Sequence, residues 1–475
     1  MAKRILLMNP PSGLYRRDDR CQSKVDDQTV RVIFPPIEFG VLGAVARQHG
    51  AEVIVRDYPA ARQDMRAFQR DLESFKPDII LLNTTIHTID EDLETFRIAK
   101  QQAPDTLAMA RGESVAVFAE KVMAGHPELD IVLAGEPEAT FAEILDGYPR
   151  HEIAGVVWRS QDGVIHANAE RPLTANLDDL PLPARELFDN TFYRSPENGR
   201  MITVIHAQRG CPSKCIFCPA GSMSGYTVRE RSVDNVMREI TECAEKYGIR
   251  DFLFHGDTFT LHKRWVIDLC KAIVDSGLLI HWGCNSRADT IDNERAQWLR
   301  RAGCWVVAFG FEHGVQEMLD KMKKGARAER AHEAAAICRR NGLKVHGFFV
   351  IGLPWETRQT LEATLRFARS LKLDFFDFNI AYPLPGTELY EIADREELFE
   401  IGDQSIKGGY AKAALRTYKL SSEELTAWRK WALLRMYSSP GYIYRTLAHA
   451  AASGNLPHYF RAAFHRLTSL LRNQP

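Results

Sequence analysis

The stretch "RGCPSKCIFCPAG", residues 209–221, puts Cys211, Cys215 and Cys218 within thirteen positions. The chain has nine cysteines, and the other six, Cys21, Cys243, Cys270, Cys284, Cys304 and Cys338, are scattered. The opening "MAKRILLMNPP" is too short in apolar residues for a secretory signal. No apolar run reaches the roughly eighteen residues of a spanning helix. These features predict a cytoplasmic protein, where clustered cysteines serve a metal or a reaction rather than disulfides. The six scattered cysteines read as small buried hydrophobes. Two readings compete for the C-x3-C-x2-C spacing. Structural zinc wants four tetrahedral ligands, and the nearest fourth, Cys243, is 25 residues on, inside a helical pattern. An iron–sulfur cubane held by three thiolates keeps one iron open for a ligand. Pro212, Pro219 and Gly221 keep the loop out of helix. Phe217, just before the third cysteine, is placed to shield a cluster or pack on a flat ligand.

Working outward, residues 201–390 read as six strand–helix units. The strands are "ITVIHAQRG", "RDFLFHGD", "LLIHWGCNSR", "CWVVAFGFE", "KVHGFFVIGLP" and "DFFDFNIAYPLP". Six units are too few for a closed eight-stranded barrel, so the expectation is a partial, TIM-like (β/α)6 barrel. Sites in such folds sit at the carboxyl ends of the strands. Arg209-Gly210, His255-Gly256-Asp257, Asn285-Ser286-Arg287, Glu312 and Gly352-Leu353-Pro354 gather there. Residues 1–145 alternate strands and helices through "KRILLMNPP", "AEVIVRDYP", "KPDIILLNTT", "TLAMAR" and "DIVLAGEPE". That pattern predicts a Rossmann-like α/β domain with a buried parallel sheet. Its ligand-facing strand ends carry Asn9-Pro10-Pro11, Asp57, Thr84-Thr85 and Gly135-Glu136. Residues 146–200 read as a connector containing a hairpin that turns at Asp162-Gly163. Residues 391–475 read as helical and end in a basic amphipathic helix. Its apolar face is Tyr459, Phe460, Ala463, Phe464, Leu467, Leu470 and Leu471, with Arg461, Arg466 and Arg472 largely elsewhere. Such a helix either packs on its own domain or touches a membrane surface peripherally. A length of 475 residues fits two or three domains, and a net charge of −1 exerts no general pull on nucleic acid.

The cysteine loop, the aromatic residue inside it and the six-unit barrel together resemble the radical S-adenosylmethionine (SAM) enzymes. The resemblance implies a [4Fe-4S] cluster on Cys211, Cys215 and Cys218 that cleaves SAM to a 5′-deoxyadenosyl radical. It also implies SAM contacts from Phe217, Asp257, Ser286, Arg287, Glu312, Gly352 and Leu353. The segments "RRAGCWVVAFGFEHG", "KMKKG", "GFFVIGLPWET" and "YPLPGTELY" are similar to one branch, which carries an N-terminal cobalamin-binding domain. That branch methylates unactivated carbon or phosphorus, or performs oxidative cyclisation. By this resemblance Asn9, Pro10, Thr84, Thr85, Gly135 and Glu136 face cobalamin. The D-x-H-x-x-G loop of many cobalamin proteins is absent, and "ARGES" at 110–114 replaces a usual Gly-Gly pair. His87 lies near a strand end, where a loop-bonded role competes with an approach to cobalt. The expected activity is radical methylation. Cyclisation, ring contraction or rearrangement on the same machinery is the alternative, and a non-catalytic sensor is a distant third. Expected partners are a flavodoxin or ferredoxin as electron donor and a small molecule, lipid-like or tetrapyrrole. The aromatic residues Phe375, Phe376, Phe378 and Tyr382 on the sixth strand hint at such an apolar substrate, and core packing explains them at least as well.

Overall fold

In a computed structural model, residues 2–18, 21–28, 31–400, 410–452, 454, 456–461 and 463 are described. The chain forms two compact units. The first comprises Met1–Lys24, Ile33–Tyr193 and Ser222–Gly225; the second comprises Val25–Val32, Arg194–Gly221 and Tyr226–Pro475.

The first unit is built on a seven-stranded sheet. Arg4–Asn9 lies between Glu52–Asp57 and Ile79–Asn83, followed by Leu107–Arg111 and Ile131–Leu133, all parallel. These are the five strands that the apolar runs predict. Ile5 to Met8 and Ile80 to Leu82 are fully buried, as expected of strands covered by helices on both faces. The predicted hairpin is present as Val156–Arg159 and Ile165–Ala167, with Gly163 at φ +86° in its turn. It does more than connect, because both strands add antiparallel to the sheet. A ribbon of Tyr15–Asp18 against Cys21–Lys24 also packs in this unit.

The second unit holds the six expected strands, Ile202–His206, Asp251–His255, His281–Ser286, Cys304–Glu312, Lys344–Ile351 and Phe375–Ile380. They pair in parallel and in chain order. The first and sixth do not pair with each other, so the barrel is open. Alternation divides each strand. Phe252, Phe254, Trp282, Cys284, Phe309, Phe376 and Phe378 face the helices and are buried in one continuous core. Their neighbours Leu253, Asn285, Trp305, His346, Phe348, Phe375 and Asn379 face the other way and are only half-buried. A closed core would not leave that inner face accessible, so the lumen is open. Cys243, Cys270, Cys284, Cys304 and Cys338 are buried in this core as expected; the Cys21 side chain lies outside the described residues.

After the sixth strand come helices Glu388–Arg395, Ser422–Tyr437 and Pro440–Ala452. Residues 410–421 between them are not helical. Of the expected terminal amphipathic helix, residues 456–461 are helical and Phe460 is exposed, whereas Phe464 and all that follows lie outside the described residues. Among the described residues no helix is long and apolar enough to cross a membrane.

Gly303 opens the fourth barrel strand at φ +90°, and a Cβ there would run into the Ile280 carbonyl oxygen. Gly303→Ala should therefore destabilise the second unit by about 2–4 kcal/mol, through backbone strain plus a backbone clash. Urea unfolding followed by circular dichroism measures it.

Candidate active site

The cysteine loop leaves the first barrel strand through Gln208–Arg209, which pairs antiparallel with Arg229–Glu230. Gly210 follows at φ +95°. The loop backbone is held at its centre. Ile216 N–H donates to the Met322 carbonyl at 3.1 Å, and Leu389 N–H donates to the Ile216 carbonyl at 2.8 Å. Cys211, Cys215 and Cys218 are half-buried, and Cys211 Sγ lies 4.0 Å from Thr258 Oγ1 beyond the second strand. Phe217 is partly buried against an apolar cluster that contains Ile216, Met318, Leu353 and Leu389. The structure thus brings Phe217 and Leu353 together, although they are far apart in the chain.

Arg287, at the end of the third strand, spends every donor it has. Its Nε and one terminal nitrogen bind the two Asp289 carboxylate oxygens at 3.0 and 2.7 Å. The remaining donors reach Ser213 Oγ at 2.7 Å and the carbonyls of Lys324 and Gly325 at 2.9 and 3.3 Å. A guanidinium has five N–H groups, and all five are placed. Arg287 therefore ties the cysteine loop to the loop after the fourth strand. Burial works against its charge, but Asp289, Cys215 and Cys211 outweigh it and hold Arg287 above its ordinary pKa.

Ser286 is equally committed. Its hydroxyl hydrogen-bonds Thr260 Oγ1 and lies 3.1 Å from Thr290 Oγ1. Asp257 is partly buried on the turn after the second strand, beside Gly256, where a Cβ would press on Gln208 Oε1 at 2.6 Å. Glu312 ends the fourth strand at φ +61°, buried and paired with Lys324 Nζ at 2.7 Å. Gly310 lies beneath this pair, and a Cβ on it would meet Lys324 Nζ at 2.9 Å. Burial disfavours the Lys324 ammonium, yet Glu312 and Cys215 keep its pKa above the usual range. Burial likewise pushes the Cys215 thiol up to about 11, against the pull of Lys324. Gly352 turns the fifth strand at φ +79°.

Sequence reasoning singled out neither Lys324 nor the buried pair His313 and Glu356. Their signals were present, in "KMKKG", "FEHG" and "GLPWET", but nothing local marks a lysine or glutamate as buried.

The three thiols suit a cubane, which takes each thiolate on a different iron. Arg287 and Lys324 add the positive charge that an anionic cluster favours.

In the first unit the expected cobalamin-facing residues also lie at the sheet's carboxyl edge. Asn9 and Asn83 are buried, and the Oδ1 of each has no protein partner. Thr84 and Thr85 are buried; Thr84 Oγ1 donates to the Arg111 carbonyl, and Thr85 Oγ1 meets Thr88 Oγ1 at 2.9 Å. The Pro10 carbonyl accepts from Ser12 N–H, and Glu136 Oε2 accepts from Thr174 N–H. Gly135 is exposed at φ +69°, with nothing within 4 Å of a Cβ position. Burial raises the pKa of Asp57, which Tyr193 contacts at 2.9 Å. His87 is loop-bonded: its Nε2 lies 3.2 Å from the Gln22 carbonyl, and its ring stacks on Tyr15 at 5.9 Å. Arg17 of the same ribbon grips Asp92 at 2.8 and 3.0 Å in a buried pair. Orphaned buried amide oxygens at the carboxyl ends of two adjacent strands fit a ligand rich in amide donors, and the corrin periphery is one.

A three-thiol loop at the mouth of an open (β/α)6 barrel, with a Rossmann-like unit beside it in sequence, defines a radical SAM enzyme with a corrinoid-type domain. Comparison agrees: residues 205–368 match the radical SAM superfamily, and residues 24–145 match the B12 binding domain. The chain is 32% identical, over 76% of its length and 78% of the relative's, to an uncharacterised methyltransferase of Pyrococcus horikoshii. It is 27% identical over 82% of its length, and 81% of the relative's, to cytidylyl-2-hydroxyethylphosphonate methyltransferase of Streptomyces wedmorensis. It is 26% identical over 69% of its length, and 61% of the relative's, to the anaerobic magnesium-protoporphyrin IX monomethyl ester cyclase of Rubrivivax gelatinosus. The radical SAM methyltransferase TsrM of Kitasatospora setae, solved with cobalamin and a [4Fe-4S] cluster, shares the fold. Its TM-score is 0.64 at 19% identity, over 83% of this chain and 75% of that one. The chain belongs to the radical SAM superfamily, in the branch that carries a B12-binding domain.

Replacing Cys211, Cys215 or Cys218 by Ala should leave almost no iron after anaerobic reconstitution and desalting. Arg287→Lys keeps the charge but loses the five-acceptor fork. Its iron content should fall to roughly half of the wild-type value or less, read by the same iron assay.

Proposed function

We propose that the protein is a cobalamin-dependent radical SAM methyltransferase acting on an unactivated carbon or phosphorus centre. The observation that carries this is the pairing, in one chain, of the three-thiol loop at an open barrel mouth with a sheet edge bearing orphaned amide oxygens. When bound, the cluster, SAM and cobalamin supply a hydrogen-abstracting radical and a transferable methyl group. The chain's own residues hold and orient. Cys211, Cys215 and Cys218 ligate, and Phe217 and Leu353 wall one side with apolar surface. Arg287 fixes the loop on which the ligands sit. Glu312 accepts from ribose hydroxyls. Lys324, paired by one hydrogen bond, keeps two N–H groups for the SAM carboxylate. Ser286 acts through Thr260 and Thr290 by shaping the third-strand turn, and Asp257 faces the SAM amino group. Asn9, Pro10, Thr84, Thr85, Gly135 and Glu136 line the corrin side.

The electron donor is a flavodoxin- or ferredoxin-type protein, and the substrate is a small molecule whose apolar part enters the half-exposed aromatic lumen. The 26% identity to a cyclase favours one second reading, oxidative cyclisation on the same machinery.

Product analysis separates the two. Methylation consumes two SAM per turnover, yielding S-adenosylhomocysteine from one and 5′-deoxyadenosine plus methionine from the other. Enzyme reconstituted with iron, sulfide and hydroxocobalamin should hold about four irons and one cobalt per chain. With substrate it should release the two nucleosides in equal amounts. Deoxyadenosine without homocysteine product establishes the cyclase reading, and iron without cobalt removes methyl transfer through the corrin.

A further inference from the structure

Two strand ends must be held apart by a fixed distance if one ligand is to touch both. The ladder between the fourth and fifth strands slips between Gly310 and Glu312, and its last pair is Glu312 with Phe349. At and beyond it, both strands turn through left-handed backbone, Glu312 at φ +61° and Gly352 at φ +79°. No ladder hydrogen bond joins them there. A buried side-chain network does so instead.

Glu356 and His313 both have fully buried side chains. Glu356 Oε2 accepts from Gly352 N–H at 3.2 Å. Its Oε1 faces His313 Nε2 at 3.3 Å and accepts from the Thr360 hydroxyl. His313 Nδ1 accepts from Val315 N–H at 3.1 Å, so Nε2 carries the ring proton and shares it between Glu356 Oε1 and Thr364 Oγ1. Thr364 Oγ1 lies 3.0 Å from the same Nε2 and accepts from Gly314 N–H. The Glu356 carbonyl receives the Thr417 hydroxyl at 3.1 Å, and the Pro354 carbonyl receives Tyr418 N–H at 2.8 Å. One carboxyl group therefore joins the residue after Glu312 to the residue that turns the fifth strand, and the segment at 417–418 latches over it.

We infer that Glu356 is a positioning residue for SAM, setting the separation of Glu312 and Gly352 through His313. This rests on the reading above that these two residues hold the nucleoside. Glu356→Gln isolates the effect. The amide replaces one acceptor with a donor, so either Gly352 N–H or His313 Nε2–H then faces N–H. Moving the ring proton does not relieve this, because Nδ1–H would meet Val315 N–H. Thr357→Ala is the control: Thr357 caps the helix Arg358–Ser370 and meets the network only through the Thr360 hydroxyl, not through Gly352 or His313.

Reconstituted holoenzyme is assayed for SAM cleavage under dithionite without substrate. The reduced cluster is followed by electron paramagnetic resonance as SAM is added. Glu356→Gln should raise KM for SAM roughly tenfold, with kcat within about threefold of wild type. Its SAM-free cluster spectrum should match wild type, and the SAM-induced change should need about ten times more SAM. Thr357→Ala should lower the thermal midpoint and leave KM for SAM unchanged. An unchanged KM in Glu356→Gln, or an equal rise in Thr357→Ala, overturns the inference while the radical SAM reading stands. Wild-type enzyme that neither binds nor cleaves SAM overturns that reading, and the inference with it.

Discussion

A guanidinium can donate five hydrogen bonds, and Arg287 makes all five. The rest of the site depends on that saturation. The cysteine loop has little secondary structure of its own and gains its shape from what it is tied to. Arg287 ties Ser213, inside the loop, to the backbone at Lys324 and Gly325. Lys324 in turn reaches back to Glu312. One side chain thus sets the thiol loop and the buried ion pair in a single frame. A lysine could match the charge but not the geometry.

The carboxyl edge of the barrel shows the same economy of shared partners. Ser286, Thr260 and Thr290 close a ring of hydroxyls. Glu356 gathers three donors from two strand ends and a helix. Buried polar groups left without partners cost stability, so each network permits one arrangement. An enzyme that generates a radical has reason for such rigidity, because a mobile site would expose the radical to solvent and to its own side chains. On the inner wall the half-buried Trp305, His346, Phe348 and Phe375 leave room that the outer, helix-covered wall does not.

In the first unit the orphaned oxygens of Asn9 and Asn83 contrast with the buried ion pair that the terminal nitrogens of Arg17 make with Asp92. The paired residues fasten the Tyr15–Lys24 ribbon. His87, which sequence alone left between two roles, is claimed by that ribbon through Tyr15 and the Gln22 carbonyl.

The amino-acid sequence by itself determined the class. Three cysteines at a fixed local spacing, and apolar runs alternating with helical periods, are short-range signals, and all eleven strands first marked in the two parallel sheets follow from them. The position of a residue at a strand end was legible, as for Cys211 after the first barrel strand and Glu312 at the end of the fourth. Who binds whom was not legible. The five acceptors of Arg287, from residues 213 to 325, come together only in space. Lys324, His313 and Glu356 read as ordinary polar residues, because burial is a property of the packed chain. The hairpin after the first domain read as a connector, because strand pairing across a sheet edge leaves no local mark. Donor counting, burial and pairing are long-range facts, and only the tertiary structure decides them.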